Sequence, residues 1–162
     1  MFEPAQLQLA AAIVDRCRAR GLRIATAESC TGGLISGCLT AIAGSSAVFD
    51  RGFVTYSDSA KTALLGVPRE LLVRSGAVAE DVARAMAQGA LRAAGADVAV
   101  AVTGIAGPDG GTADKPVGLV HFAAARAGAD TWHERHVFAG DRQAVRAATV
   151  TTALGLLAGR IA

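Results

Sequence analysis

The stretch Asp97-Val98-Ala99-Val100-Ala101-Val102-Thr103, followed at once by Gly104-Ile105-Ala106-Gly107-Pro108-Asp109-Gly110-Gly111, decides the fold class. Its apolar residues do not alternate with polar ones, so both sides of the extended chain need cover, which marks a central strand with helices on each face. The glycine-rich segment is then a loop leaving the carboxyl end of that strand. Working outward, Glu80 to Ala94 carries two acids in its first turn and Gly95 after its end, as a helix does. Val117 to Ala125 and Thr131 to Phe138 read as two further strands, and a closing helix begins near Asp141 and runs to about Gly159. Upstream, Pro4 suits the first turn of a helix that Gly21 closes, and Leu22 to Thr26 reads as a short strand. Leu34, Ile35, Cys38, Leu39 and Ile42 recur at helical spacing. Arg51 to Tyr56 reads as a strand, Ser57 and Asp58 as the cap of a helix reaching Leu65, and Arg69 to Arg74 as a short helix. The sum is an α/β chain: a three-layer α/β/α sandwich with a mixed sheet of about five strands, one domain over residues 1–162.

Composition agrees. The 162 residues suffice for one core, and 52% hydrophobic against 19% charged residues is a globular balance that excludes disorder. A net charge of +2 with no basic run excludes a nucleic-acid groove. There are 37 alanines but only 7 aromatic residues, so close backbone packing is expected, not large aromatic slots. The uncharged run from Ser29 to Phe49 is no membrane span, because 10 of its 21 residues are Gly, Ser or Thr. The start, MFEPAQLQ, lacks the pattern of an export signal. Cys17, Cys30 and Cys38 are odd in number and lack metal-ligand spacing, so a reducing, cytoplasmic setting without a metal site is expected.

In open α/β sheets, ligands bind beyond the carboxyl ends of strands. Three small-residue loops follow strands here, Glu28 to Gly33, Tyr56 to Ser59 and Thr103 to Gly111, and Gly140-Asp141-Arg142 opens the last helix. Gathered at one edge they would form a pocket of backbone N–H groups and hydroxyls suited to an anionic or phosphorylated ligand. The fingerprints GxxxxGK[ST] and GxGxxG are missing, and a glycine-rich loop alone is as readily a tight turn. The lysines are more telling. Arginine occurs 14 times and lysine twice, at Lys61 and Lys115, so a retained lysine is a candidate for work that arginine cannot do. A desolvated lysine can lose its proton and act as a base, whereas arginine stays charged. Taken from composition alone, either lysine is more simply read as a solvated surface charge.

A lysine base needs a nucleophile, and Ser29 sits at a strand-to-helix turn that favours one. Ser29 could instead cap the helix, although Thr31 can fill that role and leave it free. Ser45 and Ser46 compete, but read more simply as turn residues. Cys30 reads as a small buried residue. His133 and His136, three apart on a strand, point to opposite faces and make no metal pair, and His121 reads as structural.

The strings Thr26-Ala27-Glu28-Ser29-Cys30-Thr31-Gly32-Gly33, Gly44-Ser45-Ser46-Ala47-Val48-Phe49-Asp50-Arg51-Gly52-Phe53-Val54-Thr55-Tyr56-Ser57 and Thr103-Gly104-Ile105-Ala106-Gly107-Pro108-Asp109-Gly110-Gly111 resemble the CinA C-terminal domain family. Lys115-Pro116-Val117-Gly118 and Gly140-Asp141-Arg142 continue the resemblance, in order, over nearly the whole chain. It implies a stand-alone amidohydrolase that converts nicotinamide mononucleotide to nicotinate mononucleotide and ammonia without a cofactor. The resemblance also implies Ser29 as nucleophile, Lys61 as base and Tyr56 assisting. Under it, N–H groups of Thr31, Gly32 and Gly33 would hold the oxyanion, and Ser46 would be a further substrate contact. The phosphate would fall to Thr103, Gly104 and Gly107 of the glycine loop or to Arg142. A homodimer or larger homo-oligomer is expected, with no nucleic-acid or membrane partner. A non-catalytic regulatory module, associated with competence and DNA damage, is the alternative, and hydrolysis of another nucleotide amide a third reading.

Overall fold

Valine and alanine alternate along the central strand, and the two residue types go to different layers. In the computed structural model, which describes residues 2–162, this strand, β3, spans Val98–Gly104. Val98, Val100 and Val102 join one core together with buried residues of α1 (Pro4–Arg20), α2 (Leu34–Thr40) and α6 (Arg142–Ile161). Ala99 and Ala101 face the other way. They line up with Ala25 and Ala27 of β1 (Ile24–Glu28) and Ala123 and Ala125 of β4 (Leu119–Arg126), beneath α5 (Glu80–Ala94). The small-residue bias thus builds one thin, alanine-covered face. Larger aliphatic side chains fill the opposite layer, where each fully buried Leu or Ile contributes roughly 1.5–3 kcal/mol.

The sheet order is β2-β1-β3-β4-β5, with β2 spanning Phe49–Val54 and β5 Trp132–Val137. β1 pairs in parallel with β2 and β3, whereas β4 is antiparallel to both its neighbours. β1, β2, β3 and β5 therefore point the same way, and the loops that leave them meet at one edge. α3 (Asp58–Leu65) and α4 (Arg69–Ser75) lie on the α5 side. The α/β class and the mixed five-stranded sheet match the reading from sequence.

Two strands are displaced from their expected bounds. β1 begins at Ile24, not Leu22, because Leu22 still belongs to the end of α1: its N–H donates to the Cys17 carbonyl over the left-handed Gly21. β1 therefore runs to Glu28, directly before Ser29. β2 begins at Phe49, opposite Ile24, and ends at Val54, which leaves Thr55 and Tyr56 in the connection to α3. Ser57 caps α3 by accepting from the Ala60 N–H, as its residue type predicts. α3 also rests directly on α5. A Cβ at Gly89 would stand 2.1 Å from the carbonyl oxygen of Leu65, so only glycine permits this approach.

Candidate active site

Ser29 and Lys61 come from different layers and meet at the carboxyl edge of the sheet. The Ser29 N–H donates to the Val102 carbonyl at 3.1 Å, prolonging the β1–β3 ladder by one bond and fixing the turn. Ser29 is 9% exposed, whereas Lys61 of α3 is 1% exposed and ranks among the largest fully buried side chains. Its Nζ lies 3.2 Å from Ser29 Oγ, 2.9 Å from the Thr55 carbonyl and 3.4 Å from the Tyr56 carbonyl. Burial lowers the Lys61 pKa from its ordinary value, because the ammonium is disfavoured away from water, and the Asp58 carboxylate 4.0 Å away opposes the shift. A neutral amine has two N–H bonds and one lone pair. Two carbonyl acceptors and one hydroxyl match that set: a neutral amine here could donate to Thr55 and Tyr56 and turn its lone pair to Ser29.

Ser29 and Lys61 open into a cleft of about 270 Å³. Thr103, Gly104, Gly107 and Arg142 line it as expected, with Ala77, Val78 and Asp109 among the additional walls. Thr103 is buried, and its hydroxyl donates to the Ala77 carbonyl at 2.8 Å, tying α5's approach segment to β3. At Gly104 a Cβ would stand 2.7 Å from the Leu119 carbonyl oxygen, so glycine lets the loop leave close against β4. Tyr56 contributes in two ways. Its carbonyl lies 3.4 Å from Lys61 Nζ, while the residue as a whole is 60% exposed and its hydroxyl accepts from Arg142 Nη2 at 3.0 Å. Arg142 Nη1 donates to the Gly107 carbonyl at 2.9 Å, so this arginine bridges the α3 side of the cleft to the glycine loop.

Two expectations require correction. The N–H of Gly32 donates to the Ser29 carbonyl and that of Gly33 to Glu28 Oε2, so neither faces an oxyanion. The N–H groups of Cys30 and Thr31, by contrast, donate to no other residue among the described residues. Thr31 itself is buried, with its hydroxyl on Glu28 Oε2 at 2.7 Å. Ser46 lies in the 3-10 turn Ser45–Ala47 that precedes β2, at the amino end of the parallel strands, a strand length from Ser29. It is not brought to the cleft.

The residues left aside behave as their types predict. Burial pushes the Cys30 thiol up to about 11, which keeps it protonated beside the serine. His133 and His136 do point to opposite faces: His133 Nε2 lies 2.9 Å from His121 Nδ1 on one side, and His136 stacks on Phe138 on the other. Burial pushes the His121 pKa down to about 4. Lys115 Nζ donates to the Ser75 carbonyl outside the cleft.

Glu28 and Arg146 escaped the sequence reading. Glu28 is wholly buried under the serine turn, and Arg146 of α6 donates to the Thr31 carbonyl at 2.9 Å. An acid immediately before a long uncharged run that opens a helix was a usable signal for Glu28, since helix N-termini attract carboxylates. Arg146 had none, because it lies 115 residues from its partner.

Known proteins share this chain's sequence and fold. A sequence model of the CinA C-terminal domain matches residues 6–161. The nicotinamide-nucleotide amidohydrolase PncC of Escherichia coli (strain K12) is 50% identical over 157 residues, covering 97% of this chain and 95% of that protein. The CinA-like protein of Geobacter sulfurreducens is 56% identical over 151 residues, but the chain spans only 36% of its length. The crystal structure of the competence/damage inducible protein CihA from Agrobacterium tumefaciens superposes with a TM-score of 0.96 at 51% identity, covering 98% of this chain and 97% of that one. Matched in sequence and in backbone from end to end, the chain belongs to the CinA C-terminal domain family.

Proposed function

We propose that this chain is an amidohydrolase that converts nicotinamide mononucleotide to nicotinate mononucleotide and ammonia, in pyridine-nucleotide recycling. The observation that carries the proposal is the buried Lys61 amine 3.2 Å from Ser29 Oγ, with the Thr55 and Tyr56 carbonyls 2.9 and 3.4 Å from the same nitrogen. The substrate class is supported by the near full-length relative in Escherichia coli named for that activity. Three unpaired, buried cysteines fit the reducing cytoplasm. The resemblance further implies work as a homodimer or larger homo-oligomer.

The lone pair of Lys61 takes the Ser29 proton as Oγ attacks the carboxamide carbon. The oxyanion faces the N–H groups of Cys30 and Thr31, the two amides of the turn without a partner. The Lys61 ammonium then returns its proton to the departing nitrogen, ammonia leaves, and a nicotinate ester of Ser29 remains. Lys61, neutral again, deprotonates a water that attacks the ester, and collapse of the second tetrahedral species restores the Ser29 hydroxyl. Arg142 is the group suited to the phosphate: it stands at the first turn of α6 on the cleft, and a guanidinium matches two phosphate oxygens.

The test is ammonia release from nicotinamide mononucleotide by the purified protein beside Ser29→Ala and Lys61→Arg. Both variants should lose about 1,000-fold or more in kcat while remaining folded by circular dichroism. An inactive wild type would instead favour the non-catalytic reading, and full activity in Lys61→Arg would refute the lysine base.

A further inference from the structure

Five donors converge on one buried carboxylate beneath the serine turn. Glu28 is the last residue of β1, is fully buried and forms no ion pair among the described residues. Its Oε2 accepts from the Thr31 hydroxyl at 2.7 Å, the Gly33 N–H at 3.1 Å and the Ile35 N–H at 3.0 Å. Its Oε1 accepts from the Ser36 N–H at 2.8 Å and the Ser36 hydroxyl at 2.7 Å. A buried anion without a cation is tolerated only where hydrogen bonds replace its hydration, and here the turn and the first turn of α2 supply all of them. Room for this network is built into the neighbouring strand as well. A Cβ at Gly52 of β2 would stand 2.2 Å from Ser36 Oγ.

These bonds have a direct consequence for the adjacent residue. They join the end of β1 to the start of α2 across residues 29–33, so the path of the chain through Ser29 is dictated from within. They turn the Gly33, Ile35 and Ser36 N–H groups inward and leave those of Cys30 and Thr31 free. We propose that Glu28 is the positioning residue of the nucleophile. Its carboxylate holds Ser29 Oγ in reach of Lys61 and selects which two amides face the reacting carbonyl, without touching substrate. The proposal rests on the amidohydrolase reading for its substrate but not for its geometry.

Glu28→Gln keeps the shape and removes the charge. Whichever way the amide turns, its nitrogen faces donors, so either the Ser36 N–H or the N–H groups of Gly33 and Ile35 lose their acceptor. The measurements are kcat and KM for ammonia release, and the rate at which a fluorophosphonate labels Ser29, with the labelled residue identified by mass spectrometry. In Glu28→Gln both kcat and the labelling rate should fall on the order of 100-fold, as expected for a misplaced reacting group, with KM changed by less than about threefold. Glu28→Asp, which restores the charge on a shorter arm, should recover part of both rates. A folded Glu28→Gln with wild-type kcat and labelling rate overturns the proposal. If that variant does not fold, Glu28→Asp and Ser36→Ala carry the comparison, and unchanged rates in both overturn it. A wild type that is labelled at Ser29 yet leaves nicotinamide mononucleotide intact refutes the amidohydrolase reading alone, and the labelling ratio then decides the role of Glu28. A wild type neither labelled nor active refutes both.

Discussion

The serine turn and the glycine loop leave the same edge of the sheet and are built from the same small residues, yet their backbone amides have opposite fates. In the turn, the N–H groups of Ser29, Gly32 and Gly33 are bonded inward, to Val102, Ser29 and Glu28, and those of Cys30 and Thr31 alone have no partner residue among the described residues. In the loop, Ile105 bonds to Leu119, but the N–H groups of Ala106, Gly107, Asp109 and Gly110 have no partner among the described residues. A turn with most of its amides bonded inward has its path fixed and holds a reacting atom in place. One with free amides is a receptor for anionic oxygen. Small-residue content alone therefore does not say which a loop will be. The presence of a buried acid beneath it does.

The largest effect that sharpens this contrast comes from pH. On the turn's side, the proposed mechanism needs a neutral Lys61, whose pKa burial has lowered, so raising the pH through that value should increase the active fraction. Below it, kcat should fall about tenfold for each pH unit, whereas KM should follow a different profile. Asp58→Asn removes the carboxylate that favours the ammonium and should move the limb to lower pH. A kcat that is flat with pH would break the assignment. On the loop's side, Arg142→Gln should raise KM about tenfold with little change in kcat, as steady-state kinetics would show. An equal fall in kcat would mean that Arg142, through Tyr56, serves the dyad instead. The smallest effect is expected at Cys30→Ala. The thiol is buried and protonated, so ammonia release should change by less than about threefold.

Much of this contrast was legible from one dimension, and the reasons are specific. Valine and alanine without polar alternation in residues 98–102 required a covered strand, and that strand is central. Lys61 stood out because the chain otherwise writes its positive charges as arginine. What stayed hidden depended on groups that carry no residue signature. The carbonyls of Thr55 and Tyr56 aim the lysine, and a carbonyl belongs to every residue. Gly32 and Gly33 look like an oxyanion cradle in any strand-to-helix turn, until the carboxylate that claims the Gly33 amide is seen. Ser46 shares a long recognisable string with Tyr56, but a β-strand separates them, and a strand carries its two ends to opposite edges of a sheet.

Glycine in the middle of a helix is ordinarily a weakness, and Gly89 of α5 is such a residue. Here the missing methyl group is what lets the end of α3 settle on α5, and α3 carries the lysine. Any side chain at this position would lift the helix and lengthen the gap between amine and hydroxyl. Gly89 touches no reactant, yet a substitution there would be inherited as an active-site lesion, written in a helix on the far side of the lysine.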